Sequence, residues 1–351
     1  MAAGERQERR REDFLRRSGD STLNVEAETC GGALGRGRQT TEEALADLAG
    51  VDAATPDGVA AIRRALDDKR GALVARAARM AESAGGTDLV PFLVRAFDRL
   101  LGADKDDPGC RAKVAIVDTL IAIEHDDPSV FRRGMRCVQR EPVFGGSIDT
   151  AAELRGHCAQ GLARTNDPDA LFDLVEMLVD SEAAARAGAA RAIGDRGRND
   201  GISVLRLKVL TGDKEANVIG ECLGALMHLD PAGALAFVAR RLDSDDDGIA
   251  EGAAVTLGES RQRAALEVLL NWLEAPRSDE LLRAGMLAVA MNRSDEAVSY
   301  LISRVQSAPL RVGTHALSAL RIFRDSDRVR ARVDEALAQR DSNELRALWG
   351  H

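Results

Sequence analysis

Asp243-Ser244-Asp245-Asp246-Asp247-Gly248 is the stretch of this sequence most suited to chemistry. It has oxygen-bearing side chains at positions 1, 3 and 5 and a glycine at position 6, the first half of a calcium-binding loop. The second half departs from that pattern. Position 12, where a bidentate glutamate closes such a loop, is Ala254, and position 8 is Ala250. An acidic turn ahead of a helix has a second use, because aspartate accepts hydrogen bonds from the free N–H groups of the first helical turn. Asp104 to Gly109, DKDDPG, is a turn of the same kind. No Gly-x-x-x-x-Gly-Lys-Ser/Thr loop, Gly-x-Ser-x-Gly elbow or His-x-x-x-His pair is present. The residues therefore define no catalytic constellation and no metal or cofactor site.

The elements that carry these turns repeat. Glu182 to Gly197, EAAARAGAARAIGDRG, reads as an amphipathic helix whose apolar stripe is built from alanine, with Gly194 and Gly197 closing it. A stripe so small buries too little area to make a core alone and favours close approach by neighbouring helices. Aligned on Ala190/Ile193, three residues apart on one helical face, equivalent pairs are Ala159/Leu162, Leu223/Leu226, Ala254/Leu257, Leu287/Ala290 and Leu317/Leu320. The steps are 31, 33, 31, 33 and 30 residues, and looser copies lie at Ala78/Ala81 and Val117/Leu120. A period in this range is that of a solenoid. The expected fold is all-α, a right-handed α-α superhelix of about eight helical pairs.

Three regions follow: a charged, disordered tail over 1–40, a repeat array over 41–340 and a C-terminal cap over 341–351 that brings Trp349. First helices are expected at 88–101, 129–140, 169–179, 202–210, 233–242, 264–274 and 296–306. Two steps are longer, 39 residues from Ala78 to Val117 and 42 from Val117 to Ala159. The excess falls in Gly102 to Cys110 and in Glu141 to Thr150, EPVFGGSIDT, both expected to be loops. The second is the preferred place for a specific contact, with Glu141 and Phe144 as candidates.

Composition narrows the partners. The chain has a net charge of −9, and its tail carries eight Arg against seven acidic residues, so the array is more acidic than the whole. That disfavours nucleic acid and anionic membranes. No stretch reaches the length of apolar sequence a membrane helix requires, and the Arg-rich start lacks the apolar run of an export signal. The five cysteines are odd in number and widely spaced, without a Cys-x-x-Cys pair. Cys158 and Cys222 fall in an apolar repeat column and read as small core residues, which suits a reducing cytoplasm.

Arg186-Ala187-Gly188-Ala189-Ala190-Arg191-Ala192-Ile193-Gly194 resembles the second-helix motif of HEAT-like repeats of the phycobilisome-lyase type, R-x-x-A-A-x-A-L-G, and Gly252 to Gly258 is a second match. The resemblance covers roughly residues 45 to 340. It implies an armadillo-like helical architecture and leaves function open, since such families hold chromophore lyase subunits, hydroxylases and interaction proteins. Deoxyhypusine hydroxylase, of similar fold, holds iron through His-Glu dipeptides. Here the five histidines precede Asp126, Cys158, Leu229, Ala316 and the chain end, so that ligand set is missing. His157 and His315 share a repeat column five steps apart, too distant to hold one metal. A DNA-glycosylase reading lacks its basic, aromatic groove.

What remains is surface. The residues just past the packed stripe are Arg164, Asp195, His228, Glu259, Asn292 and Arg321, a ribbon of mixed sign expected to meet a folded protein or peptide. The sequence thus favours a cytoplasmic, non-catalytic protein-binding scaffold or adaptor that needs no cofactor. A lyase- or hydroxylase-type enzyme or enzyme subunit is the competing class.

Overall fold

The alanine stripes and acidic turns produce a row of helical hairpins. A computed structural model describes residues 39–340 and 342–350 of the chain. The expected tail, apart from its last two residues, lies outside the described residues, as does Cys30. After α1 (Thr41–Ala49) come α2 (Pro56–Leu66) with α3 (Gly71–Ser83), α4 (Val90–Leu101) with α5 (Arg111–Ala122), and α6 (Pro128–Met135), a short β-hairpin and α7 (Ala152–Arg164). The pairs continue as α8 (Ala170–Met177) with α9 (Ala183–Asp195), α10 (Ile202–Thr211) with α11 (Ala216–Leu229), and α12 (Pro231–Ala239) with α13 (Asp247–Glu259). Next are α14 (Arg263–Leu273) with α15 (Asp279–Asn292) and α16 (Asp295–Ser307) with α17 (Leu310–Leu320). Two closing helices, α18 (Asp327–Gln339) and α19 (Asn343–Trp349), pack on α16 and α17. The array is all-α with eight helical pairs, as its period implied.

Each second helix packs on the second helix before and after it, α3 on α5 through α15 on α17, and the first helices flank this row. Glycine makes the spacing possible at several interfaces, two of them glycine against glycine. A Cβ added to Gly188 would lie 2.4 Å from the Gly156 Cα, and one added to Gly252 would lie 3.2 Å from the Gly220 Cα. These four glycines recur every 32 residues, a stricter period than the apolar column suggested. The stricter register shifts one expectation: in α15, Met286 and Val289 are fully buried, whereas Leu287 is only half-buried. The rest of the column is inside. Leu162, Ile193, Leu226 and Leu257 lose all contact with water, each gaining about 2 kcal/mol by transfer.

The acidic turns serve as caps. Asp246 is the N-cap of α13 and accepts from the amides of Gly248 at 2.9 Å and Ile249 at 3.3 Å. Ala254, at the position where a calcium loop would need its glutamate, is fully buried.

Candidate functional site

The two long insertions meet. Residues 129–140 read as one helix, but α6 stops at Met135 and the chain enters a hairpin in place of the expected loop, β1 (Arg140–Val143) and β2 (Gly146–Asp149). The register is Arg140↔Asp149, Glu141↔Ile148, Pro142↔Ser147 and Val143↔Gly146. Phe144 and Gly145 form the turn, where Gly145 takes a φ of 89°, a conformation other residues enter only at a cost.

A buried polar cluster fixes the base of the hairpin. The Lys113 side chain is wholly buried, and its Nζ donates to Gln139 Oε1 at 2.8 Å and to the Leu100 carbonyl at 3.3 Å, with Asp107 Oδ2 at 3.4 Å. Gln139 Nε2 in turn donates to the Asp107 carbonyl at 2.9 Å. Glu141 accepts from the Gly109 amide (2.6 Å), from Gln139 Nε2 (2.6 Å) and from the Thr150 hydroxyl (2.9 Å). The Gly109 amide does most to hold this carboxyl below the ordinary carboxylate range. Glu141 therefore clamps the hairpin to the turn before α5, and its carboxylate is not free for a partner.

Beyond the hairpin the same geometry becomes a ladder. Arg155, in the first turn of α7, donates to Asp149 Oδ2 at 2.7 Å and forks onto Asp180 with two bonds of 2.9 Å. Arg186, in the first turn of α9, forks onto Asp213 at 2.7 and 2.8 Å and donates to the carbonyls of Asp180 and Ser181. Lys208 completes the last rung, 2.7 Å from Asp213 Oδ2. Lys113, Arg155 and Arg186 each stand six residues after an aspartate, Asp107, Asp149 and Asp180. This Asp-x5-Lys/Arg spacing is the signal of the ladder in the sequence.

Burial alone would raise the Asp213 and Asp149 carboxyls, but the hydrogen bonds from Arg186 and Lys208 to the first, and from Arg155 and nearby amides to the second, outweigh it and hold both low. The sign of the linkage follows. A carboxyl depressed in the folded state contributes stability that is fully present above its unfolded value, about 3.9, and is lost as pH falls through the folded value. Urea unfolding measured from pH 5 down to pH 2 should therefore show stability falling below about pH 4. Asp213→Asn should be weaker throughout and flatter in that window, and an unchanged slope in the variant would remove Asp213 from the account.

The hairpin above this framework is bare. Phe144 has a relative exposure of 109%, and Val138, Ile148 and Val143 are 58%, 52% and 44% exposed. Cross-strand partners share a face, so Val143 and Ile148 lie diagonally on one side of the ribbon. Pro142 in β1 lacks an amide hydrogen, which suits an edge strand.

The mixed ribbon is less uniform than its sequence implied. Arg164, Asp195, His228, Glu259 and Arg321 are exposed. Asn292 is not: it is 4% exposed, and its Nδ2 donates to the Gln262 carbonyl at 3.2 Å, so it ties the end of α15 to the start of α14 instead of facing solvent. Arg164 and Asp195 share a cleft of about 570 Å³ with Phe131, His125, Asp167 and Arg198. His228, Glu259 and Arg321 lie outside it. His157 and His315 pair with Asp118 and Asp279 of preceding units. Among the described residues no three His, Cys, Asp or Glu side chains converge as metal ligands, and no helix is long and apolar enough to cross a membrane.

Stacked helical hairpins with close-packed second helices and a polar ladder define an α-solenoid of helical pairs. The family model described as HEAT repeats matches residues 147–207, the hairpin strand β2 through most of α10. That segment is HEAT-like, and the same helical-pair unit recurs on both sides of it. Among solved structures it is similar to human deoxyhypusine hydroxylase, at 18% identity over 72% of this chain and 98% of that one with a TM-score of 0.33. It is likewise similar to the CpcE and CpcF complex of phycocyanin lyase from Nostoc sp., at 17% identity over 90% and 100% with a TM-score of 0.33. An engineered protein matches at 17% identity over 85% and 94% with a TM-score of 0.32. No curated protein sequence matches the chain.

Proposed function

We propose that this solenoid is a non-catalytic scaffold or adaptor that docks a protein partner, in the cytoplasm, through the inserted hairpin and the polar row beside its second helices. The single observation that carries the reading is the hairpin: a fully exposed phenylalanine flanked by exposed Val143 and Ile148, on a ribbon whose base is held by buried hydrogen bonds. An aromatic anchor on a rigid mount loses little entropy on binding, and such residues dominate interface energetics. The four free thiols among the described residues suit a reducing compartment.

The test captures the partner from native extract, purifies it and titrates it by calorimetry against the wild-type chain and two variants, Phe144→Glu and Glu259→Ala. Phe144→Glu is expected to weaken binding at least tenfold, the loss of a hot-spot side chain, while Glu259→Ala changes it by less than about threefold. Equal affinity for wild type and Phe144→Glu would remove the hairpin from the interface. Failure to retain any stoichiometric protein would sink the scaffold reading.

A further inference from the structure

The hairpin is a sheet of two strands, so among the described residues each strand has an outer edge with no strand beside it. Antiparallel strands alternate between residue pairs that exchange backbone hydrogen bonds and pairs that do not. At the base of the hairpin the Thr150 amide donates to the Gln139 carbonyl at 2.9 Å, which makes that a bonded pair. In the same register Glu141↔Ile148 and Val143↔Gly146 are bonded, and Arg140↔Asp149 and Pro142↔Ser147 are not. The amides and carbonyls of Ser147 and Asp149 therefore point away from β1.

The two edges differ. Pro142 has no amide hydrogen, so the outer edge of β1 lacks a donor where β2 has one. β2 carries neither proline nor lysine, the residues by which an edge is commonly kept from pairing. Gly146, Ser147 and Ile148 are exposed. The Asp149 side chain is only 4% exposed while the residue as a whole is half-buried, so the part that reaches solvent is its main chain.

We propose that β2 pairs with β2 of a second copy of this chain across a two-fold axis, giving a four-stranded antiparallel sheet. The occupant is a second copy because β2 complements itself: two outward donors and two outward acceptors meet the same set in reverse. Ser147 faces Asp149 of the second copy, each amide donating to the other's carbonyl, and the axis repeats the exchange, so every outward group of β2 is used. The axis then passes between Ile148 and Ile148 of the second copy, a pair without hydrogen bonds whose Cα atoms stand about 4.5 Å apart. Ile148 is 52% exposed in the single chain, and the pairing covers it with its own like. On the opposite face Ser147 lies against Asp149 of the second copy. That carboxylate is already matched by Arg155 and by the amides of Gln139 and Ala151, so no uncompensated charge is brought into the contact. Three or more strands with an apolar face are also what a hairpin needs for firm stability. Two strands of four residues make a small interface, in the class below about 1,200 Å², so the dimer is weak and concentration-dependent. The pairing goes beyond the docking reading and does not need it, since it uses the backbone of β2 and not the Phe144 side chain.

The experiment follows the mass of the full chain by sedimentation velocity from about 1 to about 300 μM. Wild type is expected to pass from monomer to dimer in that range. Ser147→Pro removes an outward donor and leaves the hairpin's own bonded pairs untouched, and Ile148→Lys sets like charges on the axis. Each should weaken dimerisation at least tenfold. Val138→Ser, a comparably exposed side chain outside the strands, should change it by less than about threefold. In Ile148→Cys, mild oxidation should link two copies, because the Cα separation on the axis lies within disulfide reach, while wild type under the same oxidant stays unlinked. A wild type that is monomeric throughout, a dimer indifferent to Ile148→Lys, or an Ile148→Cys chain that does not link would each overturn the proposal. The Ile148 readouts decide it even where Ser147→Pro alters the hairpin itself. Calorimetry on Phe144→Glu with a captured partner can succeed or fail with either outcome, so the two readings fall separately.

Discussion

Arg155→Met is expected to destabilise the array by about 3 to 5 kcal/mol, read as a fall of roughly 10 °C in the thermal midpoint. The guanidinium is 3% exposed, and Asp149 beside it is 4% exposed. A buried pair of this kind gains little over a hydrophobic replacement of both partners, because desolvation offsets the Coulomb attraction. Removing one partner is different. Methionine fills much of the volume but leaves the buried Asp149 and the partly buried Asp180 without their shared cation. The Cys137 carbonyl, which accepts from Arg155 Nη1 at 2.8 Å, also loses its donor. The combined variant Arg155→Met, Asp149→Asn, Asp180→Asn should therefore be more stable than Arg155→Met alone. If the single and triple variants unfold at the same temperature, the cost lies in lost packing and not in stranded charge.

Gly188→Val should act on the same stack through shape. Its Cβ would lie 2.4 Å from the Gly156 Cα and 3.2 Å from the Gly156 carbonyl carbon, both backbone atoms that no rotamer change can move aside. Helices α7 and α9 would have to separate by more than an ångström. Overpacking of this kind costs about 1 to 3 kcal/mol, and a backbone obstacle places it at or above the upper end. In a chain stabilised by nearest-neighbour interfaces, a weakened interface also divides the cooperative unit. Differential scanning calorimetry should then resolve two transitions where the wild type shows one. Gly224→Val serves as the control, since nothing stands within 4 Å of the position a Cβ would take there. A single transition at the wild-type midpoint in Gly188→Val would contradict the close approach.

The helical pairs were legible because each unit repeats the same demand, small residues on one face and a capping turn before the second helix. Ala190 and Ile193 carry that demand openly. The register of α15 was harder to read, because Leu281, Leu282, Met286, Leu287 and Val289 offer several apolar faces, and packing against neighbouring helices, such as the approach of Gly258 to the Ala288 backbone, selects among them. The hairpin was hidden for a different reason. Its strands have four residues each, and Glu141, Pro142 and two glycines weaken any alternating pattern. What holds it is non-local: Gly109 and Lys113, about 30 residues away, supply the hydrogen bonds that a window on Glu141 to Thr150 cannot contain. Asn292 is a related case: its place past the stripe suggests solvent, while the Gln262 carbonyl, 30 residues before it at the start of α14, takes its amide. Phe144 needed no distant information, and its position beside paired glycines was enough to single it out.

The rungs of buried charge stop at Asp213, because Ile219 occupies the place six residues on where a further arginine would stand. Farther along, the pairs that bridge successive units, such as Arg283 with Glu251 and Arg311 with Asp279, sit half out in solvent and resist little. Two different devices therefore hold successive units together: buried charge joins apolar packing around the hairpin, while beyond α11 the continuous apolar column carries the stack.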